Sequence, residues 1–178
     1  MCADNDEEDQ PRWLNSQEMR AWRSLIGMAM KLPAALDSQL QRDAGLTHFE
    51  FAVLVTLSEA PEQTLRMSEL ATLTNGSQSR LSHVARRMER NRLIERHTNS
   101  SDKRSTFATL TEQGWSKLKA AVPGHVEAVR HLVFDQIPDE KIEALAQVAQ
   151  AILDAVESDS SAPKLSNLRK NPVDNEDC

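Results

Sequence analysis

The sequence predicts a mostly α-helical fold with one small β hairpin. Two observations carry the helical part. Apolar residues recur at spacings of three and four over most of the stretch from Gln17 to Val156, and Gly is scarce, 5 in 178 residues, while Tyr is absent. A third observation carries the hairpin: LIERHT and STFATLT are rich in Ile, Thr and Phe and flank the polar loop NSSDKR. At 178 residues the chain can form one domain with a real core, or two small lobes sharing one.

Gln17 to about Asp43 reads as one helix, because Trp22, Leu25, Ile26, Ala29, Leu32, Leu36 and Leu40 fall on one stripe. Pro33 lies inside it and is expected to kink it, since proline lacks the N–H donor and clashes with the preceding turn. Gly45 ends this helix. Thr47 then caps a second, through Phe49, Val53, Leu54 and Leu57, which Pro61 stops. A short helix follows around Ser68–Thr72, with Leu70, Ala71 and Leu73 inward.

TNGS is next, a tight turn in which Asn75 and Gly76 tolerate positive φ and Ser77 can cap a helix over 77–91. On that helix Leu81, Val84, Ala85 and Met88 make a buried stripe. Two short helices about a Gly-containing turn outline a helix-turn-helix, and strand, loop, strand directly after it makes a winged helix. Helical spacing resumes through Leu118, Val122, Val126, Val129 and Val133, with a kink expected at Pro123-Gly124. A last helix starts at Pro138 with acids in its first turn, and Ile142, Leu145, Val148, Ile152 and Val156 form its stripe. No internal repeat is present.

Charge is unevenly placed. The chain carries a formal −6, yet Arg66 to Arg104 holds nine Lys/Arg against four Asp/Glu. The helix over 77–91 presents Ser79, Ser82, His83, Arg86 and Arg90 opposite its buried stripe, flanked by Arg80 and Arg87, with Glu89 near the buried edge. A solvated helix mixes acids with bases. A face of Arg, His and small hydroxyls alone repels itself unless an anion meets it, and points to nucleic acid.

The acids gather instead at the ends: residues 4–9 hold five. The organisation expected is therefore an acidic disordered tail (1–12), the N-terminal helix of a dimerisation region (13–45) and a winged helix-turn-helix lobe (46–112). C-terminal dimerisation helices (113–157) and a disordered polar tail (158–178) complete it. Dimerisation is read from the stripes of the first, fifth and sixth helices, which offer more apolar length than one monomer can cover. The first residues show no secretory signal and no apolar run approaches a membrane span, so a cytoplasmic protein with no membrane partner is expected. Cys2 and Cys178 sit at the extreme ends, and His125 and His131 do not share a helix face; no metal or cofactor is expected. Enzymes are disfavoured too: G-x-S-x-G, Walker, H-E-x-x-H and dinucleotide motifs are all lacking.

The order of elements, with RMSELA, SQSRLSHVARRMERNRLIER and DKRSTFATLTEQG, resembles the MarR family of winged-helix transcription regulators over residues 13–157. RWLNSQEMRAWRSLI and PGHVEAVRHLVFDQI are similar to its actinobacterial-type branch. The resemblance implies a homodimer with interlocked terminal helices, double-stranded DNA as partner, and a pocket for a small-molecule effector between lobe and dimer helices. It implies that Arg104 enters a minor groove from the wing. One departure is Asn91-Arg92, where the family has Gly before the first wing strand; Asn91 is expected to take the left-handed conformation.

Ser77, Gln78, Ser79, Arg80, Ser82 and His83 are the base-contact candidates, since the N-terminal part of a recognition helix faces base edges. Gln78 suits adenine and Arg80 suits guanine. Arg86, Arg87, Arg90 and the wing's Lys103 are assigned to phosphates, which position without specifying. Asp102 would hold Arg104 extended through an ion pair. Trp22, Ile26, Met30, His48 and Phe49 are candidates to line a ligand pocket between the first two helices. The function expected is a dimeric, ligand-responsive repressor on a pseudo-palindromic operator. The alternative is a helical protein-interaction module whose winged helix no longer reads DNA.

Overall fold

A computed structural model describes residues 11–98 and 105–159. Two compact units divide the described residues between Ala35 and Leu36. The elements are α1 (Ser16–Ala44), α2 (His48–Glu59), β1 (Thr64–Arg66), α3 (Met67–Leu73), α4 (Gln78–Arg90), β2 (Ile94–Thr98), β3 (Thr106–Leu110), α5 (Glu112–Leu132) and α6 (Ile142–Asp159). The fold is mostly α with a small wing sheet, as the sequence predicts. The tails expected at 1–12 and 158–178 lie largely outside the described residues, as do both cysteines.

In the first unit, Asn15 starts α1. Its Oδ1 accepts from the N–H groups of Gln17 and Glu18, and Glu18 Oε2 accepts from Asn15 N–H in return, all at 2.8–2.9 Å. Those bonds satisfy amide donors that a helix start otherwise leaves orphaned. α1 continues through Pro33 and α5 through Pro123.

The second unit holds the core. Leu40, Leu46, Val53, Leu54, Leu57, Leu70, Leu81, Ala85, Met88, Ile94 and Ala108 are almost completely buried there. Gly45 ends α1 with φ +61, a left-handed conformation that suits glycine. Thr47 and Glu50 then form a full capping box at the start of α2.

The sheet has three antiparallel strands in the order β1-β3-β2, with Thr64 opposite Thr109 and Ile94 opposite Leu110. The sequence predicts only the last two. β1 is three residues long, too short for an alternation to show, and its register is set entirely by β3. Other expectations are corrected at single residues. Asn75 takes positive φ (+49) but Gly76 does not. At the end of α4 the left-handed residue is Arg92 (φ +57), whereas Asn91 has φ −84. The reason is geometric: α4 ends at Arg90, so Asn91 is the last half-helical residue and the reversal falls one position later. Arg92 N–H donates to Glu89 O and Leu93 N–H to Met88 O, both at 2.9 Å, which closes the helix. The last helix starts at Ile142 rather than Pro138, because Asp139–Lys141 form a 3-10 turn first.

Candidate nucleic-acid interface

The helix-turn-helix is α3, the turn Thr74–Ser77 and α4. Thr74 Oγ1 donates to Leu70 O and Gly76 N–H to Ala71 O, so the turn satisfies the last carbonyls of α3. Ser77 Oγ then accepts from Arg80 N–H at 3.2 Å and caps α4. Gly76 is required by close approach: a Cβ there would lie 2.7 Å from the Phe49 ring.

Burial orients α4. Leu81, Ala85 and Met88 are fully buried and Val84 partly so. Ser77, Gln78, Ser79, Arg80, His83, Arg86 and Arg90 are exposed, with Ser82 half-buried. Among the described residues neither Arg86 nor Arg90 makes an ion pair. The candidates for base and phosphate contact on α4 thus share one surface, with one qualification.

Arg87 is engaged elsewhere. Its Nε donates to Glu50 Oε1 at 2.8 Å, and Glu50 is only 4% exposed. A buried carboxylate needs such compensation. Arg80 lies with its guanidinium carbon 4.3 Å from the centroid of the Phe49 ring. Glu89, the acid of α4, accepts from Arg96 Nε and Nη2 at 3.0 and 2.5 Å. Those hydrogen bonds hold its carboxyl below the usual range.

A cleft of about 280 Å³ lies beside α4, lined among others by Arg66, Ser68, Gln78, Ser82, Arg96 and Thr106. It brings Arg66 and Arg96 next to two base-contact candidates. Neither arginine stood out in the sequence. Arg66 belongs to the unpredicted β1, and its guanidinium sits 5.5 Å above the Phe107 ring. Arg96 alternates with His97 along β2, so its side follows from the strand pairing alone. Asp102, Lys103 and Arg104, the wing candidates, lie outside the described residues.

The five pocket candidates divide between the units. Trp22, Ile26 and Met30 are exposed on α1 in the first. In the second, Phe49 is turned to Gly76 and Arg80, inside the helix-turn-helix. His48 donates its N–H to Asp37 Oδ1 at 2.7 Å, and its ring is 6.1 Å from that of His125. His125 packs on Phe51 at 4.4 Å with Nδ1 buried and unpartnered, and burial, then the His48 charge, push its pKa down. Among the described residues no group of three His, Cys, Asp or Glu side chains can hold a metal ion, and no helix is long and apolar enough to cross a membrane.

Comparison with known proteins agrees with this geometry. The MarR family model matches residues 46–106. Sco3205, a MarR family transcriptional regulator from Streptomyces coelicolor solved in complex with DNA, is 42% identical. It superposes with a TM-score of 0.80, covering 88% of this chain and 99% of that one. Among curated relatives, the HTH-type transcriptional regulator YdcH of Bacillus subtilis is 31% identical over 115 residues, 64% of this chain and 71% of its own. The HTH-type transcriptional repressor YetL of the same organism is 26% identical over 128 residues, 72% of this chain and 76% of its own.

Proposed function

The chain belongs to the MarR family of transcriptional regulators, and from that premise we propose that it is a dimeric, sequence-specific repressor released by a small molecule. The outer face of α4 carries this reading: Gln78, Ser79, Arg80, His83, Arg86 and Arg90 are exposed together, without an acid among them. Such a surface is complementary to a major groove and its phosphates. The 42%-identical Sco3205, solved with DNA, supports the same partner, and YetL supports repression as the outcome.

Dimerisation is supported by apolar side chains that stay exposed among the described residues. Leu145, Val148, Ile152 and Val156 are exposed along one stripe of α6, as are Val122 and Val126 on α5. A second copy that covers them sets two α4 helices about one DNA turn apart, on a pseudo-palindromic site. An effector then acts only by binding one spacing of the two lobes better than the other. The wing's Arg104, with Asp102 and Lys103, would add the minor-groove and phosphate contacts that the family resemblance assigns to them.

Selection from random duplex DNA, followed by fluorescence anisotropy over a salt series, tests the reading. Wild type is expected to enrich a two-fold-symmetric sequence. Arg86→Ala is expected to weaken binding to all duplexes alike and to lower the salt slope of the dimer by about 2, one phosphate contact from each subunit. Failure to enrich any sequence would exclude the proposal.

A further inference from the structure

The first turn of α2 meets α4 at two points. Phe49, 8% exposed, puts its ring under the Arg80 guanidinium at 4.3 Å. Glu50, the next residue, accepts from Arg87 Nε at 2.8 Å. Arg80 and Arg87 are seven residues apart, two helical turns, and therefore lie on the same side of α4. Two neighbouring residues of one element thus hold two guanidiniums of another.

The platform is itself anchored. Glu50 Oε2 accepts from both the N–H and the Oγ1 of Thr47 at 2.9 Å, which fixes the carboxylate from behind. His48 N–H donates to Asp37 Oδ1 on α1. The Phe49 ring is pressed on Gly76, so it also abuts the turn that aims α4. Every group that could let the platform drift is tied to backbone or to a second element.

We infer that Phe49 and Glu50 are positioning residues for DNA recognition, which present Arg80 and withhold Arg87 from the polyanion. The inference rests on the DNA-reading function proposed above. Its two halves have different physical consequences. A guanidinium stacked on a ring samples fewer rotamers before it meets a base, so less freedom is lost on binding. A guanidinium whose charge is matched by Glu50 contributes little to counterion release, and so does not raise affinity for DNA of any sequence.

Four variants separate this from a role in folding alone, each compared with wild type on its selected duplex and on a scrambled one. Glu50→Gln frees the Arg87 charge in each subunit: binding to scrambled duplex rises, the salt slope of the dimer steepens by up to about 2, and the specific-to-scrambled ratio falls. The double variant Glu50→Gln/Arg87→Gln carries no free charge there, and its slope returns to the wild-type value. Phe49→Leu leaves the slope alone and loses about tenfold in discrimination at one base pair of each half-site, the same pair at which Arg80→Gln loses it. Thermal unfolding of each free variant is recorded alongside. If Glu50→Gln lowers stability too far to be assayed, Phe49→Leu and Arg80→Gln still decide the matter. Variants that match wild type in slope and discrimination would overturn the inference alone, whereas wild type that enriches no sequence would overturn it together with the function it rests on.

Discussion

Single residues show where local rules meet long-range geometry. Gly114 is one: a Cβ there would fall 2.0 Å from the Leu93 carbonyl oxygen, a backbone atom that cannot swing aside. Gly114→Ala is therefore expected to destabilise the protein by at least about 1–3 kcal/mol, read by urea unfolding. His125 gives a pH dependence. Its folded-state pKa lies below the usual value of 6.5, so in the interval between the two the unfolded chain binds the extra proton. Stability is thus fully present above about pH 6.5, falls as pH drops through that interval, and levels off below the folded pKa. His125→Gln should flatten that part of a stability-versus-pH curve, and an unchanged slope would mean that other groups produce it. The sequence marked His125 only as half of a pair that fails to share a face. Its burial beneath Phe51 depends on how α2 and α5 pack.

At the scale of the element, α4 is specified at both ends by local signals. Ser77→Ala removes the N-cap and is expected to cost about 1 kcal/mol. The other end offers the opposite sign. Arg92 takes positive φ where glycine is at ease, so Arg92→Gly is expected to stabilise the lobe by roughly 1 kcal/mol or less. Chemical denaturation with an unchanged m-value checks both. The buried stripe Leu81, Ala85 and Met88 was legible from its spacing, as was the Ser77 cap, because each is written within one or two turns of chain; the left-handed residue at the other end was expected at Asn91 and falls at Arg92. β1 was not legible. Its three residues make a strand only because β3 offers a free edge, and with it came Arg66, which no sequence pattern singles out.

At the scale of the whole molecule, the unsolved surface is the apolar one. Among the described residues none of α6 is fully buried, although its stripe is regular. In the proposed dimer that stripe is covered, and removing it should abolish assembly. Val148→Glu with Ile152→Glu is expected to sediment as a monomer that keeps its helical circular dichroism, and to lose most of its affinity for a symmetric site. A double variant that remains dimeric would place the interface elsewhere.

By itself the sequence determined the identity and order of the helices and hairpin, the caps Thr47 and Ser77, the buried stripe of α4 and the uniformly basic surface opposite it. These follow from spacing and from side chains that reach only a few residues along the backbone. Tertiary structure decided what those surface groups are free to do. It turned Phe49 to Arg80 and Glu50, 37 residues from its partner, to Arg87, and it set Arg66 and Arg96 beside Gln78. No periodicity encodes such pairs, because they depend on how elements far apart in the chain are brought together by the core they share.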